Sequence, residues 1–399
     1  MTQLHYLICA ALLVCGSLAF AAKKYGPGVT DTEIIIGQTV PYSGPASSFG
    51  TIGQAEAAYF SKINAEGGIR GRKIKFISLD DGYNPAKTVE QIRRLVEHDQ
   101  VVLIFNPIGD PTNAAVQKYL NQRKVPQLFV GAGDARFGDS KRYPWTMGFH
   151  QNAYIEGALY ARYILAQHPK AKIGVLYLND NFGKQLLKGL REGLGGRGKE
   201  MLAGAESYEL LDPTVDSQII SLRAAGADTF VNAAMPKVAA QAIRKIYDIG
   251  WHPTHFLNYA AGSVSEVLQP AGLQKSVGII SIDHQKDPTD QQWKDDPALK
   301  DWLAWMHKYY PRGNTDDNSN VYAYTLAQLL VHVLKQCGDD LTRENIMRQA
   351  ANLKDVELPM LLPGIKINTT PTDYYPIEQV RLLRFTGTRW EMFGDVIGR

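Results

Sequence analysis

Predicted strands and helices alternate along this chain almost without interruption, and this alternation restricts the fold more than any other feature of the sequence. Glu33–Gln38 is predicted to be a strand, Gly50–Ala65 a helix and Lys73–Leu79 the next strand. After a further helix at Pro85–His98, the apolar run Val101–Phe105 is typical of a strand that is buried on both faces. The alternation predicts a parallel sheet with helices packed on both faces.

A second series of the same kind begins after Pro144. A helix is expected at Asn152–Gln167 and a buried strand at Lys172–Leu178. The cycle continues through elements predicted at Gly183–Leu194, Glu206–Glu209, Val215–Ala225, Thr229–Ala233 and Lys237–Ile249. The order of strand, Pro-started helix and buried strand resembles that of the first series, which suggests duplication. Two similar lobes are therefore the expected architecture.

The last third of the chain is predicted to complete the first lobe and then to end in the second. Its expected elements are a strand, three helices and two further strands, at Val277–Ile282, Pro297–Tyr310, Ser319–Gln336, Asp339–Asn352, Glu378–Phe385 and Trp390–Phe393. The third of these helices has Thr342 in position to cap its first turn.

We predict an α/β fold with two doubly wound parallel-sheet lobes that are joined by a three-stranded hinge. Residues 22–147 and 282–364 are assigned to the first lobe, and residues 148–281 and 365–399 to the second. Three crossings between the lobes favour one bending motion over independent tumbling, which suits closure around a ligand.

Residues 1–21 have the pattern of an export signal. Residues 6–20 are almost entirely apolar but too short to span a bilayer comfortably, and they lead into a small-x-small pattern that ends at Ala21. We expect processing between Ala21 and Ala22 and a mature protein in the periplasm. Because only His5, and no Lys or Arg, precedes the apolar run, a membrane anchor or a misassigned start codon is the alternative.

The charge balance and the cysteine content argue against nucleic-acid and anionic-membrane partners and against an intrachain disulfide. The 43 Lys and Arg residues nearly cancel the 40 Asp and Glu residues, without a basic block or an acidic tail. Neither nucleic acid nor an anionic membrane is therefore an expected partner. Cys9 and Cys15 would leave with the signal, and Val14 before Cys15 argues against lipid attachment. Cys337 then remains alone, so no intrachain disulfide is expected.

Motifs for catalysis or cofactor binding are missing from the sequence. There is no Walker loop, no G-x-S-x-G elbow and no H-E-x-x-H sequence. The glycine-rich run 131–133 follows a predicted strand, but Arg136 stands where a dinucleotide fingerprint needs its third glycine. His252 and His255 have no apparent third partner for a metal ion. We expect no catalytic residue, no cofactor and no metal ion.

The loops at the carboxyl ends of the predicted strands remain as candidate sites, because open α/β sheets place their ligands there. These loops are Pro41–Gly50, Asn106–Thr112, Gly131–Asp134, Asp180–Gly183, Asn232–Lys237 and Asn258–Gly262. The second of them leads into a helix, whose first N–H groups and dipole attract an anion. Tight turns without a binding role are the structural alternative for each loop.

Short motifs spread over the mature chain carry a family resemblance. They are Ile36-Gly37 with Ser43-Gly44-Pro45, the run Ile63–Gly71, Asp80-Asp81 followed by Asn84-Pro85, Ala161-Arg162-Tyr163, Asn181-Phe182-Gly183 and Val321-Tyr322-Ala323-Tyr324. With these motifs the chain resembles the branched-chain amino acid type of periplasmic binding protein, the extracellular component of an ABC importer. The resemblance implies the type I two-lobe fold and a role in transport.

The resemblance also implies a pocket that differs from that of the family's amino-acid binders. Those proteins hold the ligand's carboxylate with hydroxyls and N–H groups of two first-lobe loops, and its ammonium group with an acidic side chain of the second lobe. Here Gly109 and Gly133 stand at the hydroxyl positions and Ala260 at the acidic one. Phe182 and Met235 stand where tyrosines are usual, which makes the implied pocket more apolar.

Loop positions and resemblance together give the predicted ligand-binding residues. They are Phe49, Ile108, Gly109, Asp110, Gly131, Ala132, Gly133, Asp134, Phe182, Met235, Tyr259 and Ala260.

The expected ligand is an organic acid with an aromatic or branched apolar body and no α-ammonium. Its carboxylate would bind the N–H groups of Gly109–Thr112 and Gly131–Gly133. An amino acid is the alternative ligand, with Asp110 or Asp134 binding its ammonium group. A ligand sensor or an exported enzyme on the same scaffold are the alternative functions. The expected partners are the small-molecule ligand and a membrane ABC permease, and the protein is expected to be a monomer.

Overall fold

The structure of the chain is a computed structural model that describes residues 23–150 and 152–398. The predicted signal peptide, its cleavage site and its two cysteines lie outside the described residues. A helix with the length and apolar character needed to cross a membrane is not found among the described residues.

The strands of the described residues are short and separated by helices, as the alternation predicts. They are β1 (Lys24–Tyr25), β2 (Glu33–Val40), β3 (Lys73–Asp80), β4 (Leu103–Phe105), β5 (Gln127–Val130), β6 (Thr146–Gly148), β7 (Ile173–Leu178), β8 (Leu202–Tyr208), β9 (Thr229–Ala233), β10 (Thr254–Leu257), β11 (Ile280–Asp283), β12 (Asp340–Leu341), β13 (Gln379–Phe385) and β14 (Trp390–Gly398).

The α-helices lie between these strands and in a cluster after β11. They are α1 (Gly50–Ala65), α2 (Pro85–Arg93), α3 (Asp110–Gln122), α4 (Ala153–Gln167), α5 (Asn181–Leu194), α6 (Gly198–Met201), α7 (Asp216–Ala224), α8 (Pro236–Asp248), α9 (Gln269–Ala271), α10 (Pro297–Tyr309), α11 (Asn318–Gln336) and α12 (Arg343–Ala350).

Two sheets define two lobes. The first sheet has the strand order β3-β2-β4-β5-β6 and all of its pairs are parallel. The second has the order β14-β13-β11-β10-β9-β7-β8, in which the pairs among β7 to β11 are parallel and the pairs that β13 makes with β11 and β14 are antiparallel. The predicted type I fold, with two α/β lobes, is confirmed.

Each sheet has a point at which the strand order reverses. In the first sheet β3 lies on one side of β2 and β4 on the other, and in the second β8 and β9 flank β7 in the same way. Loops that leave neighbouring strands at such a point diverge and leave a crevice at the carboxyl edge. The two crevices are therefore the expected walls of a site between the lobes.

Helices cover both faces of each sheet. In the first lobe, α1, α10, α11 and α12 build one hydrophobic core, and α2 and α3 build another on the opposite face. In the second lobe, α7 and α8 cover one face and α4 and α5 the other. These four cores fix the strand ends, and with them the loops that face the cleft.

The chain crosses between the lobes after β6, after β11 and before β13. The hydrophobic core of the first lobe still includes Ile367, Tyr374 and Ile377. The packing therefore favours a last crossing between Ile377 and Gln379, later than the boundary at residue 364 that the sequence predicts. We propose that residues 365–377 belong to the first lobe.

Several element boundaries differ from those predicted. Strands β1, β6, β10 and β12 were not predicted, because two to four residues show no periodic pattern unless they lie in a longer apolar run, as β4 does. The helix predicted at Asp339–Asn352 begins at Arg343, since β12 pairs with β1 before it. Thr342 caps this helix as predicted, by accepting a hydrogen bond from the N–H of Asn345.

Candidate ligand-binding site

A cavity of about 880 Å³, counted to its mouth, lies between the carboxyl ends of the two sheets. Its wall comes from both lobes and from the crossings between them. The cavity thus occupies the place where the two crevices face each other.

The structure brings eleven of the twelve predicted site residues into this wall. They are Phe49, Ile108, Gly109, Asp110, Gly131, Ala132, Gly133, Phe182, Met235, Tyr259 and Ala260. Asp134 is not part of the wall. Its carboxylate accepts hydrogen bonds from Arg136 Nε at 2.7 Å and from Asn181 Nδ2 at 2.9 Å.

Apolar side chains occupy much of the wall because helices begin directly at the cleft. Ile52 lies in the first turn of α1 and Phe182 in the first turn of α5, and Met235 precedes α8. Phe49 and Ile108 add an aromatic ring and a branched chain from the first lobe. The wall therefore suits a ligand with an apolar body.

Two glycines of the wall are required by aromatic rings packed against them. A Cβ atom at Gly109 would lie 2.5 Å from Tyr83 Cε2, and Gly109 has a φ of 108°. A Cβ atom at Gly133 would lie 2.7 Å from Phe182 Cδ2. The rings of Tyr83 and Phe182 thus fill the space that hydroxyl side chains would need, so contact with the ligand there is aromatic.

Three of the six backbone N–H groups that were predicted to bind a carboxylate are engaged within the protein. Gly109 N–H donates to the carbonyl of Gly131, Gly131 N–H to the carbonyl of Pro107, and Gly133 N–H to the carboxylate of Asp110. These three groups hold the two loops together, whereas the N–H groups of Asp110 and Thr112, which were also predicted, donate to no backbone carbonyl of the described residues. Ala132 N–H makes no hydrogen bond with the described residues.

Asp110 ties the two first-lobe loops together. Its carboxylate oxygens accept hydrogen bonds from the N–H groups of Gly133 at 3.1 Å and Asp134 at 2.6 Å. Burial, and next the charge of Asp180 on the facing lobe, raise the pKa of Asp110 to about 7. Burial also raises the pKa of Asp180, to about 6. Two carboxyls thus approach each other across the cleft.

Glu156, in the first turn of α4, is a second carboxyl in the cavity wall, and the sequence analysis missed it. Its side chain is 4% exposed, and Oε1 lies 2.7 Å from the donating N–H of Tyr259 and 2.8 Å from the hydroxyl of Tyr160. Burial raises the pKa of Glu156 to about 7. The sequence did contain a feature that could have pointed to Glu156, because it is the one acidic residue in the predicted helix Asn152–Gln167.

The crossings contribute His150 and Gln285 to the wall and α11 of the first lobe contributes Tyr322, and these were also missed. Tyr322 donates from its hydroxyl to Asn106 Oδ1 at 2.9 Å, and Asn106 Nδ2 donates to Glu56 Oε1 at 2.6 Å. Burial raises the pKa of Glu56 well above its usual value. A buried polar network therefore supports this end of the cavity and keeps Tyr322 in place.

The cavity wall contains no Lys or Arg side chain among the described residues. Nor do three or more His, Cys, Asp or Glu side chains of residues 23–150 and 152–398 gather in a way that could hold a metal ion. Any charge on Asp110 or Glu156 is thus not balanced by a Lys or Arg side chain of the wall.

The two lobes touch across the cleft, so the conformation is a closed one. Asn181 of the second lobe donates to Asp134 of the first, and Ser263 of the second lobe donates from its hydroxyl to Asp317 of the first at 3.1 Å. Tyr83 of the first lobe packs into a hydrophobic core of the second. A cavity that forms between two closing lobes is typical of a solute-binding protein.

Comparison with known proteins identifies the family. The model of the periplasmic binding protein family matches residues 33–389, and the chain belongs to this family. The Leu/Ile/Val-binding protein homolog 7 of Brucella abortus is 23% identical over 355 residues, which cover 86% of each chain. The chain is thus a periplasmic binding protein, and it is similar to members of the branched-chain amino acid type.

Solved structures share the fold over nearly the whole chain. A branched-chain amino acid ABC transporter protein from Thermus thermophilus with bound valine has a TM-score of 0.83 at 15% identity, covering 93% of this chain and 98% of that one. A fatty acid ABC transporter substrate-binding protein from Thermomonospora curvata has a TM-score of 0.78 at 21% identity, covering 94% and 95%.

Proposed function

We propose that this protein is the solute-binding component of an ABC importer. In the periplasm it captures a small carboxylic acid with an apolar or aromatic body and delivers it to a membrane permease. The observation that carries the proposal is the cavity that both lobes close over, with apolar side chains from each lobe in its wall. Closure removes the ligand body from water. This burial favours binding by about 25 cal/mol for each Å² of apolar surface that is buried.

The aromatic rings of the cavity wall favour a ligand whose body is apolar, either flat or branched, over a ligand with a polar body. Phe182 packs against the backbone at Gly133, and Phe49 and Tyr83 contribute rings from the first lobe. A sugar or a polar amino acid would leave its hydroxyl or amide groups without partners against these rings, which costs free energy.

Donors of the first lobe remain for the carboxylate of the ligand. They are the N–H groups of Asp110 and Ala132, which donate to no backbone carbonyl of the described residues, and the hydroxyl of Tyr83 in the cavity wall. Because Asp110 and Glu156 have pKa values near 7, each is partly neutral at neutral pH and then does not repel an anion. These features support the organic acid that the sequence predicts, as does the fatty-acid binder with the same fold.

An amino acid is the second candidate ligand, and Glu156 is the observation that favours it. The sequence argument against an ammonium group considered only Ala260, Asp110 and Asp134. Glu156 supplies an acidic side chain to the second-lobe part of the wall, so that argument no longer holds. The branched-chain amino acid relatives support this candidate as well.

A thermal-shift panel tests the proposed ligand class. Leucine, phenylalanine, their deaminated acids and fatty acids of short chain length are compared with glutamate, citrate and glucose. Ligand at a hundredfold excess over its Kd stabilises the folded state by about 2.7 kcal/mol. We expect a rise in melting temperature with at least one apolar-bodied acid. Stabilisation by the polar-bodied solutes alone would contradict the proposal.

Delivery to a permease requires a separate experiment in cells. Deletion of the gene is expected to abolish uptake of the radiolabelled acid found in the panel, and the gene supplied on a plasmid is expected to restore it. Unchanged uptake in the deletion strain would instead support the sensor alternative, because a sensor binds the ligand without carrying it to a permease.

A further inference from the structure

We propose that Glu156 is the second-lobe anchor of the ligand and that its Oε2 accepts a hydrogen bond from an ammonium or hydroxyl group next to the ligand's carboxylate. This inference rests on the proposed function and names the ligand class more narrowly, as 2-amino or 2-hydroxy acids with an apolar body.

The two oxygens of Glu156 have different surroundings. Oε1 is held by the N–H of Tyr259 at 2.7 Å and lies 2.8 Å from the Tyr160 hydroxyl. Oε2 receives no donor from the described residues, and it is not among the buried polar atoms that are sealed off by protein. Because Glu156 lines the cavity and is 4% exposed, the remaining surface of this carboxyl faces the cavity.

The contacts of Oε1 fix the direction of the carboxyl. Tyr259 leads out of β10 and Tyr160 lies one turn further along α4, so both are held by the core of the second lobe. Tyr160 also lies 2.7 Å from the carbonyl of Leu257, which anchors its ring. Oε2 therefore keeps its direction whether or not a ligand is present.

A purely structural role for Glu156 would require only Oε1. Oε1 joins α4 to the loop after β10 through its contacts with the N–H of Tyr259 and the hydroxyl of Tyr160. The side-chain carbonyl of a glutamine could make the same two contacts. A carboxylate at this position adds a second acceptor in a wall without Lys or Arg. A buried acceptor without a donor is costly, and a ligand that brings a donor removes that cost.

The location also differs from the position at which the family resemblance expects an acidic side chain. That position is Ala260, which follows Tyr259 in the wall. Glu156 reaches the same part of the cavity from α4, through its contact with the backbone of Tyr259. The ligand's donor group is thus expected beside Tyr259, with its acceptor supplied by α4 and not by a side chain of the loop after β10.

The test uses three compounds with one body and one carboxylate: phenylalanine, 3-phenyllactate and 3-phenylpropanoate. A matching set with the leucine skeleton is measured in parallel. Wild-type protein is expected to bind the ammonium or hydroxyl member about ten- to hundredfold more tightly than the unsubstituted acid, as measured by calorimetry. This preference requires no variant, so the test does not depend on whether a variant folds.

Glu156→Gln is expected to remove that preference. Tyr259 N–H requires an acceptor at the Oε1 position, so the glutamine NH₂ must replace Oε2, and an acceptor becomes a donor. Affinity for the substituted members should fall about tenfold or more, and affinity for 3-phenylpropanoate should not fall. Glu192→Gln is the matched control, because exposed Glu192 also accepts from a tyrosine of α4, Tyr154, at 2.6 Å.

Two results overturn the inference and leave the proposed function intact. They are a wild-type protein that prefers the unsubstituted acid, and a folded Glu156→Gln protein that binds the substituted members as tightly as the wild type. If the wild type binds no member of either set and binds only polar-bodied solutes, the proposed function fails and the inference fails with it.

Discussion

At the scale of single residues, two carboxyls in the same cavity wall have different tasks. Asp110 accepts two backbone N–H groups and thereby joins the loops after β4 and β5. Glu156 uses one oxygen in this way and leaves the other without a protein donor. Burial is the largest cause of the raised pKa of both groups, about 7 in each case. Each carboxyl therefore makes folding and binding sensitive to pH near neutrality.

Glu156→Gln is expected to flatten the pH dependence of stability between about pH 4.5 and 7. The native protein holds the proton of Glu156 up to about pH 7, whereas the unfolded chain loses it near pH 4.3. The native state therefore binds more protons in this window, and the free energy of unfolding falls as pH rises. The contribution is on the order of 1–3 kcal/mol and is measured by urea unfolding across the window.

The free energy of unfolding should thus fall less steeply with pH in Glu156→Gln than in the wild type. Glu192→Gln should show the same slope as the wild type. Parallel curves for all three proteins would mean that Glu156 titrates in the native protein as it does in the unfolded chain.

The sequence allowed the apolar and glycine positions of the wall to be predicted, because they follow strands in a regular order. Phe182 and Gly133 are of this kind. Glu156 and Tyr322 were missed because their place depends on how helices pack after a crossing, which no local pattern reports. The engagement of Gly109, Gly131 and Gly133 N–H groups was missed for the same reason, since loop-to-loop hydrogen bonds are tertiary contacts.

At the scale of elements, helix starts determine where the site residues lie. Asn84 caps α2, Asp180 caps α5, Asp317 caps α11 and Thr342 caps α12, each by accepting from a backbone N–H group. Of these, Asp180 and Asp317 also lie at the contact between the lobes. Capping residues are readable from sequence, which is why most helix starts were predicted to within a few residues.

Thr342→Ala is expected to lower the free energy of unfolding by about 1 kcal/mol. The substitution removes the hydroxyl that accepts from Asn345 N–H and donates to Asp340 at 2.6 Å. Thr342→Ser keeps the hydroxyl and should remain close to the wild type in urea unfolding. Equal loss in both variants would show that the methyl group of Thr342, and not its hydroxyl, stabilises α12.

At the scale of the whole molecule, closure brings side chains of one lobe against the backbone of the other. A Cβ atom at Gly133 of the first lobe would lie 2.7 Å from Phe182 Cδ2 and 3.2 Å from Ala153 Cβ, both in the second lobe. These contacts join the two lobes in the closed conformation. A side chain at Gly133 therefore opposes closure without disturbing the core of either lobe.

Gly133→Ser is expected to weaken ligand binding about tenfold or more, because the overpacked contact must be relieved before the lobes close. Small-angle scattering should give a smaller radius of gyration for ligand-saturated wild type than for ligand-saturated Gly133→Ser. Gly196→Ala is the control, since a Cβ atom there would meet nothing within 4 Å. If the wild type, Gly133→Ser and Gly196→Ala bind the ligand with equal affinity and become equally compact, the lobes do not close at the contact between Gly133 and Phe182.

The central claim is that the lobes close over a small acid whose apolar body packs against the rings of this cavity. Calorimetric titration of the wild type and of Phe182→Ala, at several temperatures, tests it most directly. We predict one site per chain, a negative heat-capacity change from apolar burial, and an affinity at least about tenfold weaker in Phe182→Ala. Binding with no negative heat-capacity change and equal affinity in both proteins would contradict the claim.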